Sequence, residues 1–214
     1  ETSEYIEIRT EDKSGNIWFE FDKLLHVSKR IEDGSYKTET APFRRIDRQE
    51  FFNIYPEKNG VVWYGDGEAL IRYDGGVNKN YEADVSALVR RVISGKDSII
   101  FDGLLIANEE GQSQIPFVAN TLRFEYSVPN YDNYTANQYQ YFLEGFDSDW
   151  SSWTKSAEKE YTNLPQGDYK FHVRGKNIYD FVSREAVYSF TVLPPWYLSW
   201  WAYAFYLSFF ILGI

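Results

Sequence analysis

Five aromatic residues and three acidic residues lie within the twelve-residue stretch YQYFLEGFDSDW, residues 139–150. Aromatic rings beside carboxylates suit a sugar-binding cleft, while Asp147 and Asp149 have the alternating spacing of the first ligands of a calcium loop. The same stretch also fits a β-strand that ends at Gly145 and continues into a turn, with no chemistry attached. The rest of the sequence decides between these three interpretations.

Candidate catalytic and metal-ligating residues are few along the chain. Asp147 and Asp149 are not followed by the glycine and the distal glutamate that an EF-hand loop requires. His26 and His172 are the only histidines, which leaves almost no basis for a histidine triad or cluster. The chain has no cysteine, so disulfides, zinc thiolates and a cysteine nucleophile are excluded. The sequence therefore predicts a non-enzymatic chain with no catalytic residue, no cofactor and no metal site.

The composition narrows both the class of partner and the class of fold. The formal net charge is −10, and phosphate binding requires clustered lysine and arginine, which argues against nucleic acid as a partner. Aromatic residues make up 19% of the chain, and tyrosine, phenylalanine and tryptophan favour β-strands. These numbers predict an all-β protein.

The first third of the chain contains an internal repeat. The segment SGNIWFEFDKLLHV begins at Ser14 and NGVVWYGDGEALIR begins at Asn59, so the copies align without a gap at an offset of 45 residues. Trp18 and Trp63 occupy equivalent positions, and a period of about 40–45 residues is that of a four-stranded propeller blade. The copies resemble the short propeller repeats of bacterial sensor regulators. This resemblance implies that residues 1–76 hold the last two blades of a propeller.

The pattern changes after the glycine- and asparagine-rich segment YDGGVNKN, residues 73–80. Short stretches of alternating apolar and polar residues then recur, with turn residues between them. About seven such stretches are typical of an immunoglobulin-like or fibronectin-III-like β-sandwich, which we assign to residues 77–193. The stretches begin at Ala87, Ser98, Thr121, Gln138, Lys159, Asp168 and Ala186.

The stretch that opened this section lies inside the sandwich pattern. A period of two places alternate residues from Tyr139 to Leu143 on one face of a strand. The strand ends at Gly145, and the acidic residues that follow form a turn. We expect Trp150 and Trp153 to return to the core.

The stretch LPQGDYKFHVRGKN predicts a tyrosine corner. Leu164, Pro165, Gly167 and Tyr169 directly precede an alternating strand. In such a corner the tyrosine hydroxyl bonds to backbone a few residues upstream, which buries the ring and satisfies the hydroxyl. The alternation leaves His172 half-exposed on the outer face of the strand.

The C-terminal segment differs from everything before it. Residues 196–214 carry no charge, and as a helix they would extend about 28 Å at 1.5 Å per residue, close to the thickness of a bilayer core. Pro194 and Pro195 suit a helix start, and several aromatic residues follow where an interfacial belt would lie. Residues 194–214 are therefore predicted to begin a transmembrane helix. A buried aromatic strand or a core helix is the alternative.

Three motifs together carry a family resemblance. YFLEGFDSDW, YTNLPQGDYKFHVRGKN and PPWYLSWWAY, in this order, resemble the triple-tyrosine or Y_Y_Y domain. The family tyrosines correspond best to Tyr141, Tyr161 and Tyr169, with Tyr139 as an alternative for the first, and the resemblance gives them a structural role. It covers about residues 80–205 well and the repeat more loosely.

The resemblance also implies a function. Y_Y_Y domains follow propeller repeats and precede a transmembrane helix in the periplasmic sensor of Bacteroides-type hybrid two-component regulators. The chain would then be the membrane-proximal, periplasmic part of an inner-membrane histidine kinase. It would form a homodimer and relay the binding of a ligand, often an oligosaccharide, at the full propeller; no ligand-binding residue is identified.

Two other functions fit the same sequence. One is a carbohydrate-binding accessory module of a secreted or surface enzyme, although such a module has no need of an uncharged C-terminal segment. The other is a structural spacer between propeller and membrane. A spacer differs from a sensor only in lacking a ligand-linked change, and the sequence does not separate these two.

Overall fold

The computed structural model is nearly all-β, as expected from the sequence, and its only α-helix among the described residues lies at the C-terminal end. The contacts within the chain divide it into two compact units, Glu1–Ala83 and Asp84–Ile214. The structure describes residues 6–46, 53–58, 60–65, 69–77, 79–81, 84–95, 97–103, 113–130 and 132–212.

The first unit contains two antiparallel sheets that coincide with the two copies of the repeat. Its strands are β1 (Glu7–Glu11), β2 (Ile17–Phe21), β3 (Leu24–Arg30), β4 (Tyr36–Glu39), β5 (Asn53–Pro56), β6 (Val61–Gly65) and β7 (Leu70–Asp74). Strands β1 to β4 pair in chain order into one sheet, and β5 to β7 pair in chain order into the other.

The turns of the repeat are partly conserved between the two copies. Gly15 and Gly60 both adopt a positive φ, 78° and 81°, which glycine tolerates without strain. The hairpin between β2 and β3 instead turns through Asp22 and Lys23, whose φ values are 49° and 60°. A two-residue turn of this hand matches the twist of the flanking strands, so the hairpin forms although glycine is absent from it.

The core of the first unit lies between its two sheets. Trp18 and Leu25 contribute to it from the first sheet, and Val62 and Tyr64 contribute from the second. Phe43, from the connection between the sheets, lies 5.7 Å from the Trp18 ring and 6.2 Å from the Tyr64 ring. A single residue of the connection therefore joins the apolar faces of both sheets.

The second unit contains two four-stranded sheets. Its strands are β8 (Leu88–Ser94), β9 (Ser98–Phe101), β10 (Ser113–Ile115), β11 (Leu122–Ser127), β12 (Gln138–Glu144), β13 (Glu158–Tyr161), β14 (Gly167–Lys176) and β15 (Ala186–Val192). One sheet has the order β13-β11-β8-β9 and the other β10-β15-β14-β12. The seven predicted strands are confirmed; the sequence analysis missed β10, a three-residue strand that pairs in parallel with β15.

A single hydrophobic cluster fills the space between the two sheets of the second unit. Phe124 of β11 stacks on Phe171 of β14, with 4.0 Å between the ring centroids. Along β14, alternate residues from Tyr169 to Gly175 are buried, which is the period-two pattern of a strand with one face in a core. The alternation of apolar and polar residues in the sequence therefore determines which face of this sheet packs on the core.

The C-terminal part of the chain follows β15 directly. A single 3₁₀ turn, Trp196–Leu198, precedes the helix α1, Trp200–Leu212, which extends about 20 Å at 1.5 Å per residue. Among the described residues, no helix combines the length and the apolar character needed to cross a membrane. The predicted transmembrane helix is thus not confirmed and stays a prediction; residues 213 and 214 of it lie outside the described residues.

Candidate functional site

The tyrosines expected from the sequence lie on three strands of the second unit. Tyr139 and Tyr141 are on β12, Tyr161 ends β13 and Tyr169 is on β14. Tyr139, Tyr161 and Tyr169 are buried, and Tyr141 packs against the same core while partly exposed. The rings of Tyr141 and Tyr161 meet edge to face at 6.4 Å, and Tyr169 stacks on Phe190 at 5.3 Å. The four tyrosines therefore pack their rings into or against the core of the second unit.

Asp147, a candidate calcium ligand in the sequence, holds a loop in the structure. Its Oδ2 accepts a hydrogen bond of 2.6 Å from the Tyr161 hydroxyl and one of 2.9 Å from the backbone N–H of Leu143. Burial raises the pKa of Tyr161, and the hydrogen bond to Asp147 and the charge of that carboxylate raise it further. Among the described residues, no group of three or more histidine, cysteine, aspartate or glutamate side chains is placed to hold a metal ion.

Lys159 lies beside the rings of Tyr141 and Tyr161. The Lys159 ammonium lies 5.2 Å from the Tyr141 ring centroid and 5.0 Å from that of Tyr161. A cation over an aromatic face is stabilised by the ring quadrupole, and the gain is largest where water is excluded. The arrangement joins β12, β13 and the connection between them.

The residues of the predicted tyrosine corner are adjacent in space. The Tyr169 hydroxyl donates a 2.9 Å hydrogen bond to the backbone carbonyl of Pro165, four residues upstream. Leu164 is fully buried, and its carbonyl accepts a 2.9 Å bond from the Asn120 side-chain amide. Gly167 begins β14 between these groups. This is the hydrogen bond that a tyrosine corner requires.

Tyr169→Phe is expected to lower the free energy of unfolding of the second unit by about 0.5–1.5 kcal/mol, because the ring remains and one hydrogen bond is lost. Urea denaturation measures the loss. Tyr134→Phe is the matched control, because Tyr134 is exposed and its substitution should stay within about 0.5 kcal/mol of the unchanged chain. Equal stability of the two variants would show that the corner hydrogen bond contributes nothing.

Residues 196–212 form an exposed apolar surface, here called the C-terminal apolar segment. The segment carries no charged residue, and every residue in it is exposed except Ser199 and Ala202. A helix that is apolar on all sides is not an ordinary surface helix, which would be polar on one face. Contiguous exposed apolar area of this kind marks a surface that contacts protein or lipid.

Comparison with known proteins identifies the segment that holds these tyrosines. Residues 130–194 match the family model of the Y_Y_Y domain. We refer to these residues, which match that model, as the Y_Y_Y domain. The match contains Tyr139, Tyr141, Tyr161 and Tyr169 and ends directly before the C-terminal apolar segment.

The chain is similar in sequence to a histidine kinase and in fold to an extracellular domain of a two-component system. Histidine kinase P4 of Formosa agariphila is 33% identical over 82 residues, which are 38% of this chain and 6% of that protein. The extracellular domain of BT3049 from B. thetaiotaomicron, assigned as a hybrid two component system, has the same fold at a TM-score of 0.62 with 20% identity. That match covers 91% of this chain and 27% of the solved one, so this chain spans a small part of each relative.

The outer face of the Y_Y_Y domain carries a ladder of aromatic and cationic side chains. The Arg174 guanidinium lies 4.3 Å from the Trp150 ring centroid and 5.9 Å from that of Trp153, and the Lys176 ammonium lies 4.9 Å from Trp153. Gln140 accepts two hydrogen bonds from Arg174, at 2.8 and 3.1 Å. We call Trp150, Trp153, Arg174 and Lys176 the tryptophan–arginine ladder.

The positions of Trp150 and Trp153 differ from the prediction made from the sequence. Trp150 and Trp153 were expected to return to the core, and this is wrong: both are half-buried and lie over the outward-facing residues of β12 and β14. The core positions of these strands are already filled by neighbours such as Phe171. A tryptophan placed outside still buries its ring by stacking on a guanidinium. The alternation of Lys170, His172 and Arg174 was the available signal for such a cationic face.

His172 lies beside this ladder on the outer face of β14, as predicted, and its side chain is 16% exposed. Its Nε2 is 3.3 Å from Glu144 and its Nδ1 is 3.6 Å from Glu185. The ring therefore connects β12 to the segment that enters β15. This is a structural contact on the surface of the Y_Y_Y domain.

Each tryptophan of the repeat donates a hydrogen bond to an acidic side chain at the equivalent position. Trp18 Nε1 donates to Asp12 at 3.2 Å, and Trp63 Nε1 donates to Glu57 at 2.7 Å. The acceptor precedes the tryptophan by six residues in both copies. Trp18 is buried in the core of its unit, whereas Trp63 is only half-buried. The two copies are thus equivalent in local structure and different in burial.

Proposed function

We propose that this chain is the membrane-proximal, extracytoplasmic part of a two-component sensor histidine kinase, the periplasmic part of an inner-membrane protein. The observation that carries the proposal is the order of parts: the Y_Y_Y domain match at residues 130–194 is followed directly by the uncharged, exposed C-terminal apolar segment. The histidine kinase relative and the fold shared with an extracellular sensor domain support it.

The two units have distinct places in this proposal. The sheets of the first unit are the last two blades of a propeller, supported by the 45-residue repeat and by the tryptophan hydrogen bonds that both copies contain. The second unit is an immunoglobulin-like sandwich, supported by its two facing sheets and by the hydrogen bond from Tyr169 to Pro165. A ligand of the intact receptor, which the family resemblance suggests is an oligosaccharide, would bind at the complete propeller.

The exposed and uncharged C-terminal apolar segment supports a position of the chain at a bilayer in this proposal. Its three tryptophans lie at its beginning, where Trp196 and Trp201 stack at 6.2 Å, and tryptophan favours the membrane interface. In the proposed receptor two copies enter the same membrane in parallel. A change in the arrangement of the paired Y_Y_Y domains would then reach the kinase as a shift between discrete packed states.

Reconstitution into vesicles of zwitterionic and anionic phospholipid tests this proposal. The chain has no cysteine, so Ser199→Cys supplies one thiol at the start of α1. We expect the variant to float with the vesicles and to form a disulfide between two copies, because parallel chains bring both Ser199 positions together. Val118→Cys, at an exposed position in the same unit, is the matched control and should give only background disulfide.

Two outcomes would count against the proposal. Phe205→Asp combined with Phe209→Asp should abolish flotation, because each acidic residue costs about 2.5–3.5 kcal/mol at the centre of a membrane helix. Flotation of that double variant equal to the unchanged chain would exclude the membrane role of the segment. Disulfide formation at Ser199 no greater than at Val118 would exclude the parallel dimer.

A further inference from the structure

Two neighbouring parallel strands of the second unit end side by side and continue into similar turns. Ile115 of β10 pairs with Val192 of β15, and the Leu193 N–H donates a 2.8 Å hydrogen bond to the Ile115 carbonyl. A single 3₁₀ turn of apolar residues, directly preceded by proline, follows each strand: Phe117–Ala119 after β10 and Trp196–Leu198 after β15. The first turn therefore lies at the end of the unit from which the C-terminal apolar segment departs.

The segments that meet at this end carry no charged side chain. One residue in four of the whole chain is charged, yet residues 113–122, 161–167 and 186–214 contain none. The first two of these segments are bonded to each other, because the Asn120 side-chain amide donates to the Leu164 carbonyl at 2.9 Å and the Leu164 N–H donates to the Asn120 carbonyl at 3.1 Å. We call the surface formed by residues 116–120, residues 162–166 and the start of the C-terminal apolar segment the uncharged end.

Val118 is displayed at the uncharged end by a turn that is fixed on both sides. It is 91% exposed, more than any other large apolar residue that the structure describes. Its neighbour Phe117 packs against the core. The Ala119 N–H donates to the Pro116 carbonyl, and the Ala119 carbonyl accepts a 2.9 Å bond from the Ser94 hydroxyl. Backbone groups that are bonded within the protein can enter apolar surroundings at low cost.

A single exposed valine is ordinary on a protein surface, so its position decides what it means. The acidic turn that follows β12 begins at the opposite edge of the sheet from β10, so its carboxylates flank the uncharged end at a distance. A partner protein or an anionic ligand is normally met by a rim of charged and polar groups. The uncharged end lacks charged side chains and is continuous with an apolar segment, which are the properties of a surface that contacts lipid.

We propose that the uncharged end rests on the bilayer that takes up the C-terminal apolar segment, and that Val118 inserts at the boundary between the phospholipid headgroups and the acyl chains. The inference rests on the proposed function, which brings the segment into that bilayer. A membrane attachment through residues 193–195 alone would let the second unit tilt about them. The contact at Val118, on the neighbouring strand, gives a second attachment point and fixes this tilt.

Fluorescence of the full chain in vesicles tests the position of Val118. The chain has no cysteine, so Val118→Cys and Leu88→Cys each take one environment-sensitive maleimide probe. Leu88 is the matched control, because it is an exposed apolar residue six positions before Ser94 on β8, about 20 Å from the uncharged end at 3.3 Å per residue. In vesicles of phosphatidylcholine and phosphatidylglycerol, we expect lipid with a nitroxide near its headgroup to quench the Val118 probe. Aqueous iodide should quench the Leu88 probe.

Three outcomes would overturn the inference. In a chain that floats with the vesicles, a Val118 probe as accessible to iodide as the Leu88 probe would show that the uncharged end stays in water. A Val118 probe protected from iodide but not quenched by the nitroxide lipid would show that a second copy covers the turn. In both cases the proposed function stands. A chain that does not float would refute the proposed function and the inference together.

A charge at the turn provides an independent measurement. Val118→Asp should leave folding and flotation unchanged, because the side chain is exposed and the C-terminal apolar segment supplies the membrane attachment. It should lower the population of the docked end relative to the lifted end by about tenfold, which a probe on Gln166→Cys reports as lost quenching by the nitroxide lipid. Leu88→Asp is the matched control and should leave that quenching unchanged. Equal quenching in the Val118→Asp and Leu88→Asp chains would refute the insertion of Val118.

Discussion

Gly175→Ala is expected to lower the free energy of unfolding of the second unit by about 2–3 kcal/mol, the upper part of the range for overpacked cores. A Cβ at this position would lie 2.2 Å from Cγ2 of Val128, far inside van der Waals contact. Val128 is buried and, as a β-branched residue, has little freedom at χ1, so it cannot rotate away cheaply.

The backbone at Gly175 cannot move away either. Its N–H donates to the Ser183 hydroxyl at 3.0 Å, and its carbonyl accepts from the Ser183 N–H at 2.8 Å. On the other side it pairs with Tyr139 in the ladder between β12 and β14. Displacing the strand would break these bonds, so the clash must be absorbed by the core.

Denaturation in urea, followed for the second unit, measures the effect of Gly175→Ala. Adding Val128→Ala should restore part of the lost stability, because it removes the clashing methyl group, and the two effects should be strongly non-additive. Gly65→Ala, at a strand glycine of the first unit whose Cβ would meet only an ordinary 3.7 Å contact, is the control for adding a methyl group, and its effect is measured on the unfolding of the first unit. A Gly175→Ala variant that is as stable as this control would contradict the packing described here.

Raising the pH above about 10 is expected to destabilise the second unit steeply, because its buried tyrosines resist ionisation. Burial raises the pKa of Tyr126, and the nearby Tyr141 and Tyr139 raise it further. Burial and the contact with Asp147 do the same for Tyr161. In the unfolded chain these groups titrate near their ordinary value of 10.0.

The sign of the effect follows from the protons that each state binds. Below pH 10 the folded and the unfolded chain both keep the phenolic protons, so the stabilisation by the buried tyrosines is fully present. Above it the unfolded chain loses protons that the folded chain retains, and stability falls by about 1.4 kcal/mol per pH unit for each such tyrosine. The ionisation of Tyr126 and Tyr161 in the unfolded chain should together lower the free energy of unfolding by about 3 kcal/mol for each pH unit above about 10.

Single phenylalanine variants separate the two contributions. Tyr126→Phe and Tyr161→Phe should each reduce the alkaline slope by about one proton. At neutral pH they should differ: Tyr161→Phe loses a hydrogen bond to a carboxylate, worth about 1.5–3 kcal/mol, whereas the Tyr126 hydroxyl has no partner among the described residues. The exposed Tyr134→Phe should leave the slope unchanged. Urea denaturation across the alkaline range measures these slopes, and an unchanged slope in both buried variants would show that other groups cause alkaline unfolding.

In the proposed sensor the second unit would transmit a change, because the segment that enters it is bonded to the segment before β15. Arg184 pairs with Asp84 near the beginning of the unit, and its backbone N–H donates to the Val85 carbonyl at 2.9 Å. The segment that enters the unit is therefore fastened beside the start of β15, whose end leads to the C-terminal apolar segment. In the proposed sensor, β15 would therefore connect the segment that enters the second unit to the C-terminal apolar segment.

The sequence by itself determined the features that depend on local pattern. Seven strands of the second unit were predicted because period-two alternation is a property of neighbouring residues. The 45-residue repeat, the hydroxyl partner expected for Tyr169 and the uncharged C-terminal segment were equally visible, since each depends on residues close together in the chain. The resemblance to the Y_Y_Y domain rested on the same short motifs.

Only the tertiary structure decided which face meets which partner. Both faces of the repeat strands are apolar, so alternation alone could not show that Trp18 is buried while its equivalent Trp63 is turned away from the core. For a similar reason Trp150 was expected in the core, whereas in the structure its ring lies against Arg174. The bond from Tyr161 to Asp147 joins residues 14 positions apart across a loop. A sequence pattern assigns a side chain to one side of a strand, and the packing of distant segments determines what lies on that side.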